Sequence, residues 1–188
     1  VFAEYTNWIR ILGVDDVGHL NERISGGQIN DFIRIAEALH EKKIASIADR
    51  IKQDAQRVRI ILIAGPSSSG KTTFAQRLSV QLRVNGIMPV NLSVDDYFVN
   101  QDTTPRDEEG NPDFEALECV DLPLFNRDLQ TLIDGGEIST PTFNFTKGRR
   151  EYLGGTLRLE PGHVLVVEGI HGLNPRLTEL IPDENKWV

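Results

Sequence analysis

The stretch "IILIAGPSSSGKTTFAQRL" at residues 60–78 constrains the fold of this chain more than any other. It opens with five apolar residues, a run typical of a strand buried on both faces of a parallel sheet. A turn rich in glycine and serine follows, and helix-forming residues come after it. Gly65, Gly70, Lys71 and Thr72 satisfy the pattern G-x-x-x-x-G-K-[ST] between a predicted strand and a predicted helix. The stretch therefore predicts a strand–turn–helix unit whose turn grips phosphate groups.

The residue types in this turn suit a nucleoside triphosphate. Glycines let backbone N–H groups wrap an anion without interference from Cβ atoms, and the helix N-terminus adds its positive end. Lys71 supplies a mobile charge for the β- and γ-phosphates, and Thr72 supplies a hydroxyl ligand for Mg²⁺. The candidate nucleotide-binding residues are Gly65, Pro66, Ser67, Ser68, Ser69, Gly70, Lys71, Thr72 and Thr73.

Further strand and helix patterns alternate after the turn. "PVNLSV" at residues 89–94 and "HVLVVEG" at 163–169 read as buried strands, and a helix is predicted near 122–134. The alternation predicts an α/β fold, a parallel sheet flanked by helices, with residues 138–159 forming an inserted β-hairpin. Residues 1–57 are predicted to be a helical appendage or linker, and 58–188 the phosphate-binding domain.

The helical appendage carries its own local signals. Ser25 and Gln28 have the spacing of a capping box ahead of an apolar helical stripe. A second apolar set follows "HEKK", so both one long helix and two short ones fit the pattern.

Composition narrows the partners and the compartment. A formal net charge of −8 argues against broad binding to nucleic acids or membrane surfaces, and no apolar run reaches the ~18 residues of a membrane span. The lone Cys119 cannot form an intrachain disulfide, so a reducing cytoplasm is the simplest compartment. We expect Cys119 to be a small buried thiol. The chain begins with Val and stops at the strand-like "ENKWV", so we expect a fragment whose domain is incomplete at its C-terminus. A homo-oligomer is left open.

Carboxylates follow two of the predicted strands, where the groups of an open α/β sheet meet. Asp95 and Asp96 follow the second strand, and Asp95 is favoured as a general base because it comes directly after the apolar run. Asp96 as a metal-side carboxylate, and both residues as simple caps, are the alternatives. Glu168 ends the strand "VLVVE" in the place where a carboxylate holds Mg²⁺, with a capping role as the alternative.

Basic and aromatic side chains follow in the loop and in the hairpin. Arg106, Lys147, Arg149 and Arg150 either stabilise charge in the transition state or form solvated turns. Phe143 and Phe145 either line a pocket for a planar base or pack in the core. Tyr97 is placed to share the face of Asp95, and His171 either joins the site or lies in a loop.

With these motifs placed, the chain resembles the uridine kinase and phosphoribulokinase family of P-loop kinases over residues 58–188. "GPSSSGKTT", "LSVDDYF" and "VVEGIHGL" carry the resemblance. It implies ATP with Mg²⁺ and transfer to a primary hydroxyl, with Lys71 and Asp95 as catalytic residues and with Thr72 and Glu168 at the metal. "PDFE" is similar to the segment that grips ribose hydroxyls. The candidate substrate residues are Tyr97, Arg106, Glu115, Phe143, Arg149 and Arg150.

The chain also departs from that family. In its nucleoside kinases the segment matching "PTFNFTKGRR" carries a tyrosine and a histidine that help to read the pyrimidine, whereas Phe143 and Gly148 stand near those places here. We expect an ATP-dependent small-molecule kinase acting on a nucleoside or a related hydroxyl compound. The alternative is an ATP-binding regulatory module without turnover. The segment before residue 58 resembles the linker of two-domain uridine-kinase-like bacterial proteins.

Overall fold

The computed structural model of the chain describes residues 2–188. The chain divides into two compact units, the first ending at Ile47 and the second comprising Ala48–Val188. Three helices precede the first strand: α1 (Phe2–Leu12), α2 (Val17–Ser25) and α3 (Ile29–Gln53). The predicted functional division after residue 57 stays a prediction, because compactness alone does not define a functional domain.

The helices before the first strand differ from the sequence pattern in one respect. Asp16 caps α2, with its Oδ1 accepting a 2.9 Å hydrogen bond from the His19 backbone N–H. Ser25 is the last residue of α2, so the predicted capping box at Ser25 is wrong. The apolar sets on either side of "HEKK" lie on one continuous helix, α3.

The second unit is built on a four-stranded sheet and a separate hairpin. The six strands are β1 (Ile60–Ala64), β2 (Met88–Ser93), β3 (Glu137–Asn144), β4 (Arg149–Arg158), β5 (His163–Gly169) and β6 (Lys186–Trp187). The sheet order is β2-β5-β1-β6, and all of its neighbouring pairs are parallel. Helices α4 (Lys71–Val84) and α5 (Leu122–Ile133) follow β1 and β2 along the chain. The predicted α/β fold with a parallel sheet and flanking helices is confirmed.

The order of the strands decides which chain ends meet. In the sheet, β5 lies between β1 and β2, and Glu168 is in register with Ile63 on one side and with Ser93 on the other. Because the strands are parallel, their carboxyl ends share one edge of the sheet. The turn after β1, the acidic segment after β2 and Glu168 therefore lie at the same edge.

The apolar core explains why these elements form. Val164 to Val167 in β5 are all buried, as expected for a central strand covered on both faces. Helix α5 begins at the cap Asp121, whose Oδ1 accepts from the Leu124 N–H at 3.1 Å, and it ends before Gly135, which has a φ of 82°. One cluster of buried residues joins α5 to the sheet and the hairpin, including Leu92, Phe125, Leu129, Leu132, Ile138 and Leu165.

The predicted hairpin is present. Strands β3 and β4 pair antiparallel, with Phe143 opposite Arg150 and Asn144 opposite Arg149. The turn between them closes with the Lys147 N–H donating to the Asn144 carbonyl at 3.1 Å and with Gly148 at a φ of 60°. Among the described residues, no helix is both long enough and apolar enough to cross a membrane.

Candidate active site

The phosphate turn lies between β1 and α4, with residues 66–70 exposed. Gly70 has a φ of 86°, a conformation that glycine adopts without strain. A Cβ added at Gly70 would meet no other atom within 4 Å, so the backbone conformation and not crowding favours glycine there. At Gly65 a Cβ would lie 2.8 Å from Ser69 Oγ, so a larger residue there would require the serine side chain to move. Ser68 also has a positive φ, 58°, which is uncommon outside glycine. This open, wound turn at a helix N-terminus fits a phosphate chain.

Two oxygen ligands of the kind that Mg²⁺ prefers meet beside the turn. Thr72 Oγ1 donates a 2.9 Å hydrogen bond to Glu168 Oε1, which joins the first turn of α4 to the end of β5. Ser93 Oγ, at the end of β2, donates to the same oxygen at 3.3 Å. A hydroxyl and a carboxylate next to a triphosphate grip form a donor set that suits Mg²⁺.

Lys71 lies at the start of α4, where it can serve the turn. Its Nζ donates a 2.9 Å hydrogen bond to the Pro66 carbonyl, so the ammonium group folds back over the turn. The same charge acts on Asp95, whose pKa it lowers against the other influences there. The lysine therefore bonds the phosphate turn and lies within electrostatic reach of the acidic segment that follows β2.

Asp95 lies close enough to Lys71 and Glu168 for their charges to act on it. Burial is the main cause that raises the pKa of Asp95, and the negative charge of Glu168 raises it further. A carboxylate with a raised pKa at the carboxyl edge of the sheet is a candidate for proton transfer.

Asp96 faces a different element. β2 ends at Ser93, and residues Val94–Tyr97 form a 3-10 turn in place of a continuing strand. Asp96 Oδ1 accepts a 3.2 Å hydrogen bond from the Phe143 backbone N–H, so this carboxylate holds β3 of the hairpin. A helical turn, and not the alternation of a strand, therefore sets the directions of these two side chains.

Two further hydrogen bonds, each donated by a backbone N–H, fix the hairpin to the segment after β2. Asn100 Oδ1 accepts from the Arg150 N–H at 3.1 Å, and the Gln101 N–H donates to the Gly148 carbonyl at 2.8 Å. Together with the bond between Asp96 and Phe143, they tie the hairpin to the chain that carries Asp95. The hairpin is therefore positioned beside the candidate base.

Two of the predicted substrate residues have partners within the protein. Tyr97 is 0% exposed and its hydroxyl donates to Asp128 Oδ2 at 3.3 Å, so it is a core residue and not an acceptor contact. Arg150 forms a 2.9 Å ion pair with Asp121 Oδ2 and joins the hairpin to the N-terminus of α5. Arg150 therefore has a structural partner at Nη2, whereas its Nη1 is shielded from solvent without a hydrogen-bond partner among residues 2–188.

Three more of the predicted substrate residues, Arg106, Glu115 and Arg149, are exposed. Arg106 donates to the Gly110 carbonyl at 2.7 Å within its own loop. Glu115 is exposed, and its backbone N–H donates to Asp113 Oδ1 at 2.9 Å. Arg149 donates to Glu151 Oε1 at 3.1 Å. Hydrogen bonds from Lys147, Asn144 and Arg149 lower the pKa of Glu151 to about 2. Arg106 and Arg149 are therefore engaged in local contacts.

Four phenylalanine rings, which we call the Phe tetrad, pack beside the hairpin: Phe98, Phe114, Phe143 and Phe145. Each ring contacts the other three, with centroids 4.9–6.2 Å apart. Phe143 is buried and Phe145 is 61% exposed. Phe143 therefore packs in the core and Phe145 presents an aromatic surface, while a pocket for a planar base stays a prediction.

Two residues near the site were missed or left open by the sequence. Ser93 was missed, although it follows from the register that places it opposite Glu168. His171 lies within electrostatic reach of Asp95 and of Glu118, and its Nε2 is shielded from solvent without a hydrogen-bond partner among residues 2–188. Cys119 is buried as expected, and burial raises the pKa of its thiol to about 12.

The comparison with protein families agrees with this geometry. The description of the phosphoribulokinase / uridine kinase family matches residues 60–181. The chain belongs to this family. That stretch contains the phosphate turn, the acidic segment and Glu168, so the resemblance inferred from the motifs is confirmed.

Individual relatives add detail. The chain is similar to a uridine kinase of Deinococcus deserti, with 32% identity over 114 residues, 61% of this chain and 53% of the relative. It is also similar to a uridine kinase of Lactobacillus helveticus, with 30% identity over 111 residues, 59% of this chain and 51% of the relative. The chain thus spans about half the length of the curated relatives that it matches.

Solved structures share the fold. A possible uridine kinase from Bacillus stearothermophilus aligns with a TM-score of 0.50 at 24% identity, over 74% of this chain and 75% of that one. A candidate fructose transport system kinase from Silicibacter sp. aligns with a TM-score of 0.54 at 17% identity, over 67% of this chain and 62% of that one. At these identities the likeness concerns the fold alone.

Proposed function

We propose that residues 58–188 form a kinase domain that transfers the γ-phosphoryl group of ATP to a hydroxyl group of a small acceptor. The supporting observation is the meeting of three groups at one edge of the sheet. These are the phosphate turn after β1, the bond between Thr72 and Glu168, and Asp95 after β2. The family membership favours the same activity.

Each residue then has a distinct task. ATP, when bound, would supply the γ-phosphoryl group, and Mg²⁺ would neutralise charge on its oxygens. The backbone of residues 65–70 and Lys71 hold the phosphates, while Thr72 and Glu168 hold the metal. Asp95 accepts the proton of the acceptor hydroxyl as the oxygen–phosphorus bond forms, and ADP leaves with the electron pair of the broken bond. No covalent link to the protein is needed.

The proposed acceptor is a nucleoside or a related hydroxyl compound. The relatives named uridine kinase favour a nucleoside. The Phe tetrad offers aromatic surface but no side-chain hydrogen-bonding atom, so we expect weak discrimination between bases. Apolar contacts separate similar ligands by only about 10–200-fold, whereas hydrogen-bonded readout reaches about 10⁴–10⁵-fold.

The test is a panel of acceptors assayed for ADP release by the full-length protein. It contains uridine, cytidine, a sugar phosphate and a pantothenate-like alcohol, each with ATP and Mg²⁺. The proposal expects ADP release to rise with one acceptor class and a phosphate ester to form in equal amount. ATP binding without acceptor-dependent ADP release across a wide panel would overturn it and favour the regulatory module. A ratio of uridine to cytidine turnover above about 10⁴ would contradict readout by aromatic contacts alone.

A further inference from the structure

A cavity of about 300 Å³ lies at the opposite end of the sheet strands from the phosphate turn. Arg59 directly precedes β1, Ile87 directly precedes β2 and Gly162 directly precedes β5, so the cavity opens at the amino ends of three adjacent strands. The end of α3 and the chain after it form the remaining wall. The lining residues are Ile51, Ala55, Gln56, Val58, Arg59, Ile87, Gly162, His163 and Val164.

The lining has an unusual charge balance for this protein. The chain contains 28 acidic and 20 Lys or Arg residues, yet the cavity is lined by Arg59 and His163 and by no carboxylate. Most of the other lining side chains are apolar. A cationic group in an apolar, acid-free cavity favours an anion, because little else nearby competes for its charge.

One nitrogen of each basic lining side chain, Arg59 and His163, lacks a hydrogen-bond partner. Arg59 Nε and His163 Nδ1 are both shielded from solvent and have no hydrogen-bond partner among residues 2–188. Shielded polar atoms are nearly always paired in folded proteins, so each such atom calls for a partner from outside the described chain.

The backbone of Arg59 is held by hydrogen bonds on both sides. Its backbone N–H donates to the Asn185 carbonyl at 2.8 Å, and its own carbonyl accepts from the Leu165 N–H at 2.9 Å. The residue is therefore held on both sides by neighbouring segments of the sheet. A guanidinium group on such an anchored backbone is better suited to a ligand than one on a free loop.

We propose that this cavity binds a small organic anion. Its phosphate or carboxylate group faces Arg59 and His163, and a compact apolar portion packs against Ile51, Val58 and Ile87. The volume lies at the lower end of the range of ligand sites, about 300–1,000 Å³, which limits the ligand to a small molecule. The six residue steps from Arg59 to Gly65 span about 20 Å at roughly 3.3 Å per residue, so the cavity is separate from the phosphate turn.

The experiment is a titration of the ¹⁵N-labelled protein followed by amide chemical shifts. A non-hydrolysable ATP analogue with Mg²⁺ first occupies the phosphate turn, so that added anions are directed to other sites. Phenyl phosphate and benzoate are the two anionic probes and separate a phosphate site from a carboxylate site. Benzyl alcohol is the neutral control. Inorganic phosphate lacks the apolar group, so its affinity relative to phenyl phosphate measures what the apolar contacts contribute. We expect saturable shifts at the amides of Val58, Ile87 and Gly162 with at least one aromatic anion.

Matched variants locate the charge that binds. Arg59→Gln should weaken the aromatic anion at least about tenfold, the scale of a hydrogen bond to a charged group. Arg57→Gln is the control, because the Arg57 guanidinium bonds Asp54 and the Glu184 carbonyl and does not line the cavity. It should change affinity by less than about twofold. If Arg59→Gln loses its dispersed spectrum, His163→Gln carries the same test.

Three results would overturn the proposal. The first is the absence of saturable shifts at the cavity amides with both aromatic anions. The second is an equal response to benzyl alcohol, which would show apolar filling without anion recognition. The third is unchanged affinity in the folded Arg59 or His163 variant. None of these readouts depends on turnover, so a failure here is distinguishable from a failure of the proposed kinase activity.

Discussion

Thr72 Oγ1 and Glu168 Oε1 lie 2.9 Å apart and are joined by a hydrogen bond. Thr72 lies in the first turn of α4, and Glu168 lies near the carboxyl end of β5. The bond brings a hydroxyl from the phosphate-binding helix to a carboxylate on the central strand. Ser93, from the strand on the other side of β5, bonds the same carboxylate oxygen. Three elements thus converge on one position beside the phosphate turn, and we propose that Mg²⁺ binds there.

Replacing Glu168 by Gln should weaken the Mg²⁺ dependence of ATP turnover. The amide keeps the size of the side chain but removes the negative charge that attracts a divalent cation. We expect the Mg²⁺ concentration for half-maximal turnover to rise about 10–100-fold, the scale seen when metal sites lose a supporting group. Thr72→Ser keeps the hydroxyl and is the matched control, with a shift below about threefold. An unchanged Mg²⁺ titration for Glu168→Gln would remove Glu168 from the metal site.

Replacing Asp95 by Asn should lower kcat about 10²–10⁴-fold with little change in ATP affinity, because the variant keeps the shape of the side chain but cannot accept a proton. The pH profile provides a second readout. Since burial and Glu168 raise the pKa of Asp95 above its usual 3.8, turnover of the native protein should fall at a higher pH than an exposed aspartate would give. The residual activity of the variant should lack that acid limb. A variant with native turnover would exclude Asp95 as the base.

The same raised pKa predicts an effect on stability. The folded protein binds the Asp95 proton more tightly than the unfolded chain, so this group favours folding at low pH and loses that contribution as pH rises through the raised pKa. Asp95→Asn should therefore be more stable than the native protein at neutral pH. The difference should shrink below the pKa, where both side chains are neutral. Urea unfolding at pH 7.5 and pH 4 measures the two free energies of unfolding.

Much of the fold could be predicted from the sequence, because the signals were local. The turn at residues 65–70 is fixed by glycine positions and by the strand before it, and the hairpin is fixed by alternation around Gly148. The buried run of β5 was equally clear. Ser25 shows the limit of such signals, since its spacing from Gln28 suits an N-terminal cap whereas Ser25 is the last residue of helix α2.

The site was less accessible to sequence reasoning, because its geometry depends on contacts far apart in the chain. Asp95 and Asp96 look equivalent in sequence, yet a 3-10 turn directs Asp96 to the Phe143 N–H, 47 residues away. The ion pair of Arg150 depends on Asp121 at the start of another helix. Neither partner could be identified without knowing how the hairpin packs.

Replacing Gly148 by Ala should destabilise the protein more than the same change at Gly154. Both glycines have a positive φ, 60° and 84°, so each variant carries a backbone penalty of about 1–2 kcal/mol. At Gly148 the new Cβ would also overlap Gln101, lying 2.8 Å from its Cβ, whereas the space around Gly154 is open. The difference between the two variants in urea unfolding isolates the overlap. Equal losses would show that Gln101 moves aside freely.

Asp96 offers the sharpest separation of anchoring from catalysis. Its Oδ1 accepts from the Phe143 N–H, and an asparagine oxygen can accept the same bond. Asp96→Asn should therefore keep kcat within about threefold, in contrast to the loss of about 10²–10⁴-fold expected for Asp95→Asn. Asp96→Ala should accelerate hydrogen exchange at the Phe143 amide and raise the KM for the acceptor, because the hairpin loses one of its bonds to the segment after β2.

The alternative role of Asp96, as a metal-side carboxylate, predicts the opposite ranking. If Asp96 held Mg²⁺, loss of its charge in Asp96→Asn would raise the Mg²⁺ requirement, although the bond to Phe143 survives. Native Mg²⁺ dependence in Asp96→Asn, together with fast Phe143 exchange only in Asp96→Ala, would establish the anchoring role. A raised Mg²⁺ requirement in Asp96→Asn with slow Phe143 exchange would instead assign this carboxylate to the metal.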